Sequence, residues 1–245
     1  MKAMIFAAGI GKRLQPISHH TPKALVKPGP KTMLELVAQK LIRFGVSTIV
    51  VNVHHHNEIL KKFISDLNFP GVELIVSDES DLLLDTGGGL LKAKKMLEGP
   101  EPVILHNVDV LSDIDLGAMV KHHLETKALA TLAVTRRTTS RYFLFDKGQL
   151  AGWENSQTGQ KIFCRSSISQ PLQKMAFSGI HVIDQQLLNL ITERGVFGIN
   201  NLYLRLAKNH KVISFEHSAE NWADIGTPEK LETARKLILK HPEIF

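Results

Sequence analysis

The chain has 245 residues, of which 43% are hydrophobic, 22% charged and 6% aromatic. This composition excludes a disordered polymer, and no uncharged apolar run approaches the ~18 residues of a membrane helix. The only cysteine, Cys164, excludes an internal disulfide and a cysteine-based zinc site. The N-terminal apolar run is too short for a secretory signal, so we expect a cytoplasmic protein. The net charge of +6 is dispersed, which favours a small phosphorylated partner over nucleic acid.

The first half of the chain alternates short apolar runs with helical patterns. Strands are predicted at 3–7, 48–53, 72–76, 102–106 and 129–135, and helices at 32–44, 57–67, 89–97 and 114–125. Thr32 and Glu35 form a capping box for the first helix, and Gly45 ends it. Strands separated by helices predict an α/β fold of the Rossmann-like, three-layer α/β/α kind with a mostly parallel central sheet. Ligands of such sheets bind beyond the carboxyl ends of the strands.

The second half of the chain is less regular. It contains a predicted hairpin at 142–151, strands at 177–183, 211–215 and 222–225, and helices at 185–192 and 199–208. Thr227, followed by Pro228, opens a final helix. The absence of a linker or repeat predicts a single domain over 1–245, with a small antiparallel insertion at about 136–180.

The most informative segment is the loop after the first strand, Ala7-Ala8-Gly9-Ile10-Gly11-Lys12-Arg13-Leu14-Gln15-Pro16. Gly9 and Gly11 would let backbone N–H groups approach phosphate oxygens, and Lys12, Arg13 and the nearby Lys23 add positive charge. A dinucleotide fingerprint fits poorly because its third glycine is replaced by a leucine, and the chain has no P-loop.

This loop, followed by Thr21-Pro22-Lys23, resembles the signature of the sugar-1-phosphate nucleotidyltransferases. Later stretches resemble that family in the same order. They are the base-recognition segment Leu84-Asp85-Thr86-Gly87-Gly88-Gly89, the metal strand end His106-Asn107-Val108-Asp109, the sugar-side strand Phe177-Ser178-Gly179-Ile180, and the second metal segment Trp222-Ala223-Asp224-Ile225-Gly226-Thr227-Pro228. The resemblance extends from Lys2 to about Leu239.

The resemblance implies a reaction in which the phosphate oxygen of a sugar 1-phosphate attacks the α-phosphorus of a nucleoside triphosphate and pyrophosphate leaves. It implies that Asp109 and Asp224 hold Mg²⁺, and that Arg13, Lys23 and Asp109 are catalytic. The implied nucleotide-binding residues are Ala7, Ala8, Gly9, Gly11, Lys12, Arg13, Lys23, Asp85, Thr86, Gly87 and Gly88. The implied sugar-binding residues are Asn107, Glu154, Ser178 and Gly179.

Two departures from the family pattern affect the expected sugar site. Val108 replaces a glycine that many members carry before the metal aspartate. The E-K-P segment of larger bacterial relatives, whose lysine meets the sugar phosphate, is replaced by Trp153-Glu154-Asn155. Lys161 and Lys174 are the candidates to substitute for that lysine.

The resemblance of the Leu84–Gly89 segment to the short uridylyltransferases of this family implies UTP as the nucleotide. The alternatives are a GTP-using mannose- or heptose-1-phosphate guanylyltransferase and a cytidylyltransferase that acts on a phosphorylated alcohol such as phosphocholine. A non-catalytic nucleotide-sugar sensor would be expected to have lost part of the first loop or a metal aspartate, and all of these residues are present. A nucleic-acid binder would bind with a steep salt dependence.

Overall fold

The central sheet draws strands from both halves of the chain. The computed structural model of the protein describes residues 1–165 and 171–244. Within these ranges the strands are β1 (Lys2–Phe6), β2 (Thr48–Val53), β3 (Glu73–Asp78), β4 (Val103–Asn107), β5 (Val110–Ser112), β6 (Ala130–Thr135), β7 (Arg141–Asp146), β8 (Gln149–Asn155), β9 (Lys161–Phe163), β10 (Gln173–Ile183), β11 (Val212–Glu216) and β12 (Trp222–Asp224). The helices are α1 (Met33–Arg43), α2 (Asn57–Asp66), α3 (Asp85–Leu97), α4 (Leu116–Thr126), α5 (Gln185–Asn189), α6 (Ile199–Leu206) and α7 (Pro228–Lys240).

The main sheet is mixed and not mostly parallel. Its strand order is β3-β2-β1-β4-β10-β6-β11-β8-β7, with β9 paired to β8. The β3-β2-β1-β4 half is parallel, as the alternation of strands and helices predicts, and β6 is parallel to β11. The long strand β10 runs antiparallel to β4, β6 and β7, and β8 runs antiparallel to β7, β9 and β11. The expected parallel character therefore holds for the β3-β2-β1-β4 half of the sheet and for the β6–β11 pair, and the remaining pairings of this sheet are antiparallel.

The predicted insertion at about 136–180 joins this sheet directly. It contributes β7, β8, β9 and the first part of β10, all paired antiparallel. Residues 166–170 of the insertion lie outside the described residues. A second, two-stranded sheet pairs β5 with β12 beside the carboxyl end of β4.

Helices cover both faces of the main sheet. Alternate side chains of a strand point to opposite faces, so apolar side chains on both faces are buried against helices. On β1, Ala3 and Ile5 pack into a cluster with α1, α2, α4 and α7. Met4 and Phe6 pack into the other cluster with α3, α5 and α6. This arrangement gives the three layers that the sequence predicts. In the described ranges, every helix is too short or too polar to cross a membrane.

Helix boundaries follow the capping signals closely. The Thr32 hydroxyl accepts from the Glu35 amide and the Glu35 carboxylate accepts from the Thr32 amide, which confirms the capping box of α1. Gly45 follows this helix with a left-handed φ of +95°, which glycine adopts without strain. Asp115 caps α4 by accepting a hydrogen bond from the amide of Ala118. Helix α3 begins at Asp85, four residues before the predicted start at Gly89.

Candidate active site

A cleft opens beyond the carboxyl ends of β1, β2 and β4, where the sheet topology predicts a ligand site. Its volume is about 400 Å³. It is lined by Phe6, Ala7, Ala8, Gly9, Lys23, Asn52, Glu79, Leu83, Asp85, Thr86, Asn107, Val108, Asp109 and Val196. The first loop, the Leu84–Gly89 segment and the end of β4 therefore share one cavity. Other predicted site residues lie outside its lining: Gly11, Lys12, Arg13, Gly87, Gly88, Glu154, Ser178, Gly179 and Asp224.

The loop after β1 is shaped by its two glycines. Nothing lies within 4 Å of a Cβ added at Gly9, so its backbone borders open space. Gly11 has a left-handed φ of +71° and precedes a short 3-10 turn over Lys12–Leu14. The Ser18 hydroxyl donates to the Gly11 carbonyl oxygen over 2.8 Å and fixes this turn.

The amides of Ala7 and Ala8 already have a partner in the protein. They donate to Asn52 Oδ1 over 2.7 and 3.3 Å. The sequence predicts both alanines as nucleotide-binding residues, and both line the cleft. A phosphate would have to be met by peptide groups further along the loop.

Lys23 and Asp109 form an ion pair in the cleft wall. Lys23 opens a third 3-10 turn, over Lys23–Leu25, which Pro22 precedes. Its ammonium donates to the Asp109 carboxylate at Oδ2. The lysine side chain is 13% exposed and the aspartate side chain 26% exposed. Both groups are thus partly withdrawn from water, and both remain accessible from the cavity.

The backbone of the second predicted metal ligand, Asp224, lies beside that of Asp109. The pairing of β5 with β12 sets Asp224 opposite Val110, and the amide of Ile225 donates to the Asp109 carbonyl oxygen over 3.0 Å. Asp224 Oδ2 accepts from Lys230 Nζ over 2.6 Å, and Asp224 Oδ1 accepts from the amide of Gly226. Each of the two aspartates is thus paired with a lysine.

Arg13 lies beside the Asp224 segment. A Cβ added at Gly226 would be 2.6 Å from Asp224 Oδ1 and 3.7 Å from Arg13 Nη2. The glycine therefore lets the carboxylate and the guanidinium share a small volume. In the described part of the chain, no cluster of three or more His, Cys, Asp or Glu side chains could hold a metal ion by itself.

Gly87 and Gly88 pack against protein on one side. The amides of both residues donate to the Phe197 carbonyl oxygen, over 2.9 and 3.2 Å. A Cβ added at Gly87 would overlap the Phe197 ring, and one at Gly88 would lie 2.5 Å from the Gly195 carbonyl oxygen. The amide of Ile199 also donates to the Thr86 hydroxyl. These glycines let the segment 195–198 approach the start of α3, a partner that the sequence does not suggest.

Asp85 and Thr86 stand at the rim where this segment meets the cleft. Asp85 has a left-handed φ of +59°, which is uncommon for a residue with a side chain. Its carboxylate accepts from the Thr86 amide over 2.6 Å. Val196 of the neighbouring segment is exposed and lines the same cavity.

Glu154, on β8, contacts both candidate lysines, Lys161 on β9 and Lys174 on β10. Its side chain is 8% exposed, accepts from Lys174 Nζ over 2.7 Å and lies 3.4 Å from Lys161 Nζ. The hydrogen bond from Lys174 lowers the pKa of the Glu154 carboxyl. The strand pairings of β8 with β9 and of β7 with both β8 and β10 bring these three charges together.

Ser178 and Gly179 lie at an irregularity of β10, where its register against β6 shifts between Phe177 and His181. The Ser178 side chain is fully buried, and its hydroxyl is 2.7 Å from His217 Nε2. Gly179 has a φ of +79°, and a Cβ there would be 3.0 Å from Asn107 Nδ2. Gly179 thus lets β10 approach Asn107, which itself lines the cleft.

The family model described as "Nucleotidyl transferase" matches residues 2–149, more than half of the chain. The chain belongs to the nucleotidyl transferase family. Among curated proteins it is 27% identical over 232 residues to the N-acetylmuramate alpha-1-phosphate uridylyltransferase of Caulobacter vibrioides, covering 93% of this chain and 92% of the relative. It is 26% identical over 255 residues to the mannose-1-phosphate guanyltransferase beta-A of Xenopus laevis, covering 99% of this chain and 67% of the relative.

The chain spans 62–67% of the length of the curated mannose-1-phosphate guanylyltransferases that it matches. Among solved structures, a UDP-glucose pyrophosphorylase from Acinetobacter baumanii superposes with a TM-score of 0.79 at 15% identity, covering 99% of this chain and 95% of that one. The inositol-1-phosphate CTP transferase from T. maritima superposes with a TM-score of 0.74 at 18% identity, covering 99% and 96%. These likenesses show that the α/β fold is shared.

Sequence reasoning misses three polar residues of the site: Asn52, Glu79 and His217. Asn52 and Glu79 line the cleft, and His217 contacts Ser178 behind it. Asn52 does leave a signal, because it is a polar residue within the apolar run that follows Thr48 in the strand Thr48–Val53. A buried polar side chain in such a strand needs a hydrogen-bond partner, so it indicates a specific contact.

Proposed function

We propose that this protein transfers the nucleotidyl group of a nucleoside triphosphate to a sugar 1-phosphate, releasing pyrophosphate. The sugar phosphate oxygen forms a bond to the α-phosphorus as the bond between the α-phosphorus and the bridging oxygen breaks. Such a displacement depends on positioning and on neutralisation of charge more than on covalent help from the protein. Membership of the nucleotidyl transferase family supports this reaction class.

The observation that carries the proposal is the Lys23–Asp109 ion pair in the wall of the cleft, beside the glycine loop. A triphosphate that enters the cleft competes with Asp109 for the lysine ammonium. Lys23 then contacts the α-phosphate and stabilises the negative charge that develops there. The Asp109 carboxylate then loses its ion pair with Lys23 and becomes free to bind a cation that accompanies the triphosphate.

The loop residues have separate roles in this proposal. Ala7 and Ala8 form the floor of the nucleotide site, and their amides are held by Asn52. Gly9 and Gly11 with Lys12 and Arg13 meet the β- and γ-phosphates. Asp85 and Thr86 hydrogen-bond the base edge at the rim, and Gly87 and Gly88 hold the rim segment in place.

Mg²⁺ is the cation that we propose, held by Asp109 and Asp224. Carboxylate oxygens are the hard ligands that this ion prefers, and protein sites commonly supply only one or two of them, the substrate phosphates supplying others. The β5–β12 pairing keeps these two residues adjacent, and the donor set fits an ion completed by phosphates. When bound, Mg²⁺ would neutralise charge on the triphosphate. In the free protein, the lysine ammonium groups take the position of the cation: Lys23 pairs with Asp109 and Lys230 pairs with Asp224.

The sugar side is formed by Asn107, Glu154, Ser178 and Gly179 in this proposal. Asn107 lines the cleft, and its side-chain amide hydrogen-bonds sugar hydroxyls. The Ser178 side chain is buried, so this residue contributes through its backbone. The Glu154 carboxylate accepts from sugar hydroxyls. Lys174 supplies the positive charge for the sugar phosphate, because its hydrogen bond to Glu154 holds it on this face of the sheet.

UTP is the nucleotide that we favour. The uridylyltransferase of Caulobacter vibrioides matches this chain over nearly the whole length of both proteins. GTP is the second candidate, because mannose-1-phosphate guanylyltransferases also match nearly all of this chain.

A substrate screen tests both parts of the proposal. Purified protein is incubated with Mg²⁺ and each of the four nucleoside triphosphates, paired with N-acetylmuramate 1-phosphate, glucose 1-phosphate or mannose 1-phosphate, and pyrophosphate release is measured. The expected result is release that requires both substrates and is fastest with UTP. Fastest release with GTP would replace the nucleotide, and release with none of the pairs would contradict the reaction class.

A further inference from the structure

A buried hydrogen-bonded chain joins the two halves of the nucleotide cleft. Asn52 Oδ1 accepts from the amides of Ala7 and Ala8. Asn52 Nδ2 donates to Glu79 Oε1 over 2.7 Å, and Glu79 Oε2 accepts from the amide of Leu84 over 3.2 Å. The chain therefore runs from the start of the phosphate loop to the residue before α3.

Both side chains of this link are almost completely removed from water, Asn52 being 3% exposed and Glu79 fully buried. A carboxylate and an amide in such surroundings hold a strict geometry, because a lost partner leaves a buried polar group unsatisfied. Gly89 leaves the space that the Asn52–Glu79 hydrogen bond occupies. A Cβ at that position would lie 2.6 Å from Glu79 Oε1 and 2.9 Å from Asn52 Nδ2.

We propose that Asn52 is a positioning residue for the nucleotide, acting together with Glu79. This inference rests on the proposed function, since it assigns the cleft to a nucleoside triphosphate. By holding the Ala7 and Ala8 amides, Asn52 fixes the direction in which the loop leaves β1, and hence where Gly9 and Gly11 meet phosphates. Through Glu79 it fixes the Leu84 amide, and hence the distance between the phosphate loop and the base rim at Asp85 and Thr86.

Of the proposed sugar side, Asn107 lies on β4 beside β1, whereas Glu154, Ser178 and Gly179 lie on strands that do not pair with β1, β2 or β3. Glu154 is on β8 and Lys174 is on β10, whereas Asn52 is on β2 and Glu79 directly follows β3. Loss of the link should therefore weaken nucleotide binding and leave the KM for the sugar phosphate unchanged. A residue with a purely structural role would change both or neither.

The test compares Asn52→Leu, which keeps the size of the side chain and removes both hydrogen-bonding groups, with Ser77→Ala. Ser77 is a matched control, because it lies directly opposite Asn52 on β3, is also fully buried, and its hydroxyl has no hydrogen-bond partner among the described residues. UTP and GTP are titrated into each protein in a Mg²⁺ buffer by calorimetry. The KM for the sugar phosphate is measured with the better nucleotide at saturation.

For Asn52→Leu we expect the Kd of the nucleotide to rise about tenfold or more, with the KM for the sugar phosphate within about twofold of the wild type. Ser77→Ala should match the wild type in both. If Asn52→Leu does not fold, Glu79→Gln takes its place, because it keeps the shape but has one acceptor oxygen for the two donors, Asn52 Nδ2 and the Leu84 amide, so one of these two hydrogen bonds is lost. We expect weaker nucleotide binding, and hence a higher Kd, for this variant as well.

A nucleotide Kd equal to that of Ser77→Ala, or an equal change in nucleotide and sugar phosphate binding, would overturn the inference. Because the Kd is measured without turnover, the two proposals fail separately. A wild-type protein that binds UTP or GTP and turns over no sugar phosphate contradicts the proposed function alone, and the Asn52 inference is still decided by the Kd values. A wild-type protein that binds neither nucleotide contradicts both.

Discussion

A substitution at Gly87 separates two explanations for the glycines at the start of α3. One explanation is that the base of the nucleotide lies against their backbone. The other, which the contacts favour, is that the segment 195–198 packs there: a Cβ at Gly87 would overlap the Phe197 ring and lie 2.9 Å from the Phe197 carbonyl oxygen. Gly87→Ala therefore distinguishes packing from ligand contact.

The size of the effect follows from two opposing terms. Forcing a methyl group into a filled site costs typically about 1–3 kcal/mol. Alanine gains about 0.5–1 kcal/mol over glycine in a helix interior, and less at Gly87, which is the third residue of α3 and lies in its first turn. The net expectation is a loss of about 1–2 kcal/mol in the free energy of unfolding, which lowers the Tm of a chain of this length by about 2–8 °C.

Gly9→Ala provides the matched comparison, because a Cβ at Gly9 meets nothing within 4 Å. We expect its stability to remain within about 0.5 kcal/mol of the wild type, while its methyl group obstructs the approach of phosphates and weakens nucleotide binding. Urea unfolding followed by circular dichroism gives the stabilities, and calorimetric titration of UTP and GTP gives the affinities. A Gly87→Ala protein with wild-type stability and a selective loss of nucleotide affinity would refute the packing explanation.

Three further predictions concern the ion pair and the buried histidines. Asp109→Asn should lower turnover by about 100-fold or more, because the proposed cation loses a charged ligand; near-normal turnover with an unchanged fold would place the metal site elsewhere. Lys23→Ala should lower kcat more than it raises the KM for the sugar phosphate, and the reverse pattern in steady-state kinetics would reassign the lysine. Burial lowers the pKa values of His106 and His181 to about 3, from their ordinary 6.5. The unfolded chain therefore takes up protons first, and stability that is complete above pH 6.5 is lost as the pH falls towards 3. We expect urea unfolding at pH 5 to show a loss of about 2 kcal/mol per histidine relative to pH 7, whereas equal stabilities would contradict burial of neutral rings.

The parts of the fold that local signals determine are predictable from the sequence. The capping box at Thr32 and the glycine after α1 set the ends of that helix, and both are confirmed. The parallel half of the sheet follows from the alternation of strands and helices. Strands β5 and β9, with three residues each, are absent from the prediction, whereas β12, which is equally short, is predicted at 222–225.

Long-range contacts account for most of what the sequence does not reveal. Helix α3 begins before its three consecutive glycines, although glycine is a poor helix former, because Phe197 binds the amides of Gly87 and Gly88 from more than 100 residues away. The mixed character of the sheet arises from β10, an 11-residue strand that pairs with three others.

The residues that line the cleft are partly predictable, because the family motifs mark the loop after β1 and the end of β4. The partners of these residues are not. The Lys23–Asp109 pair, the contact of Ser178 with His217 and the Asn52–Glu79 link each join residues that are 27–86 positions apart. The sequence contains no local pattern for such pairs.

The fate of an isotopic label tests nucleotidyl transfer in this protein most directly. The protein is incubated with Mg²⁺, a sugar 1-phosphate and UTP that carries ³²P in either the α- or the γ-position, and the products are separated. Attack on the α-phosphorus predicts that the α-label appears in the nucleotide sugar and the γ-label in pyrophosphate. Transfer of the γ-label to the sugar phosphate, or its release as inorganic phosphate without formation of a nucleotide sugar, would contradict the account.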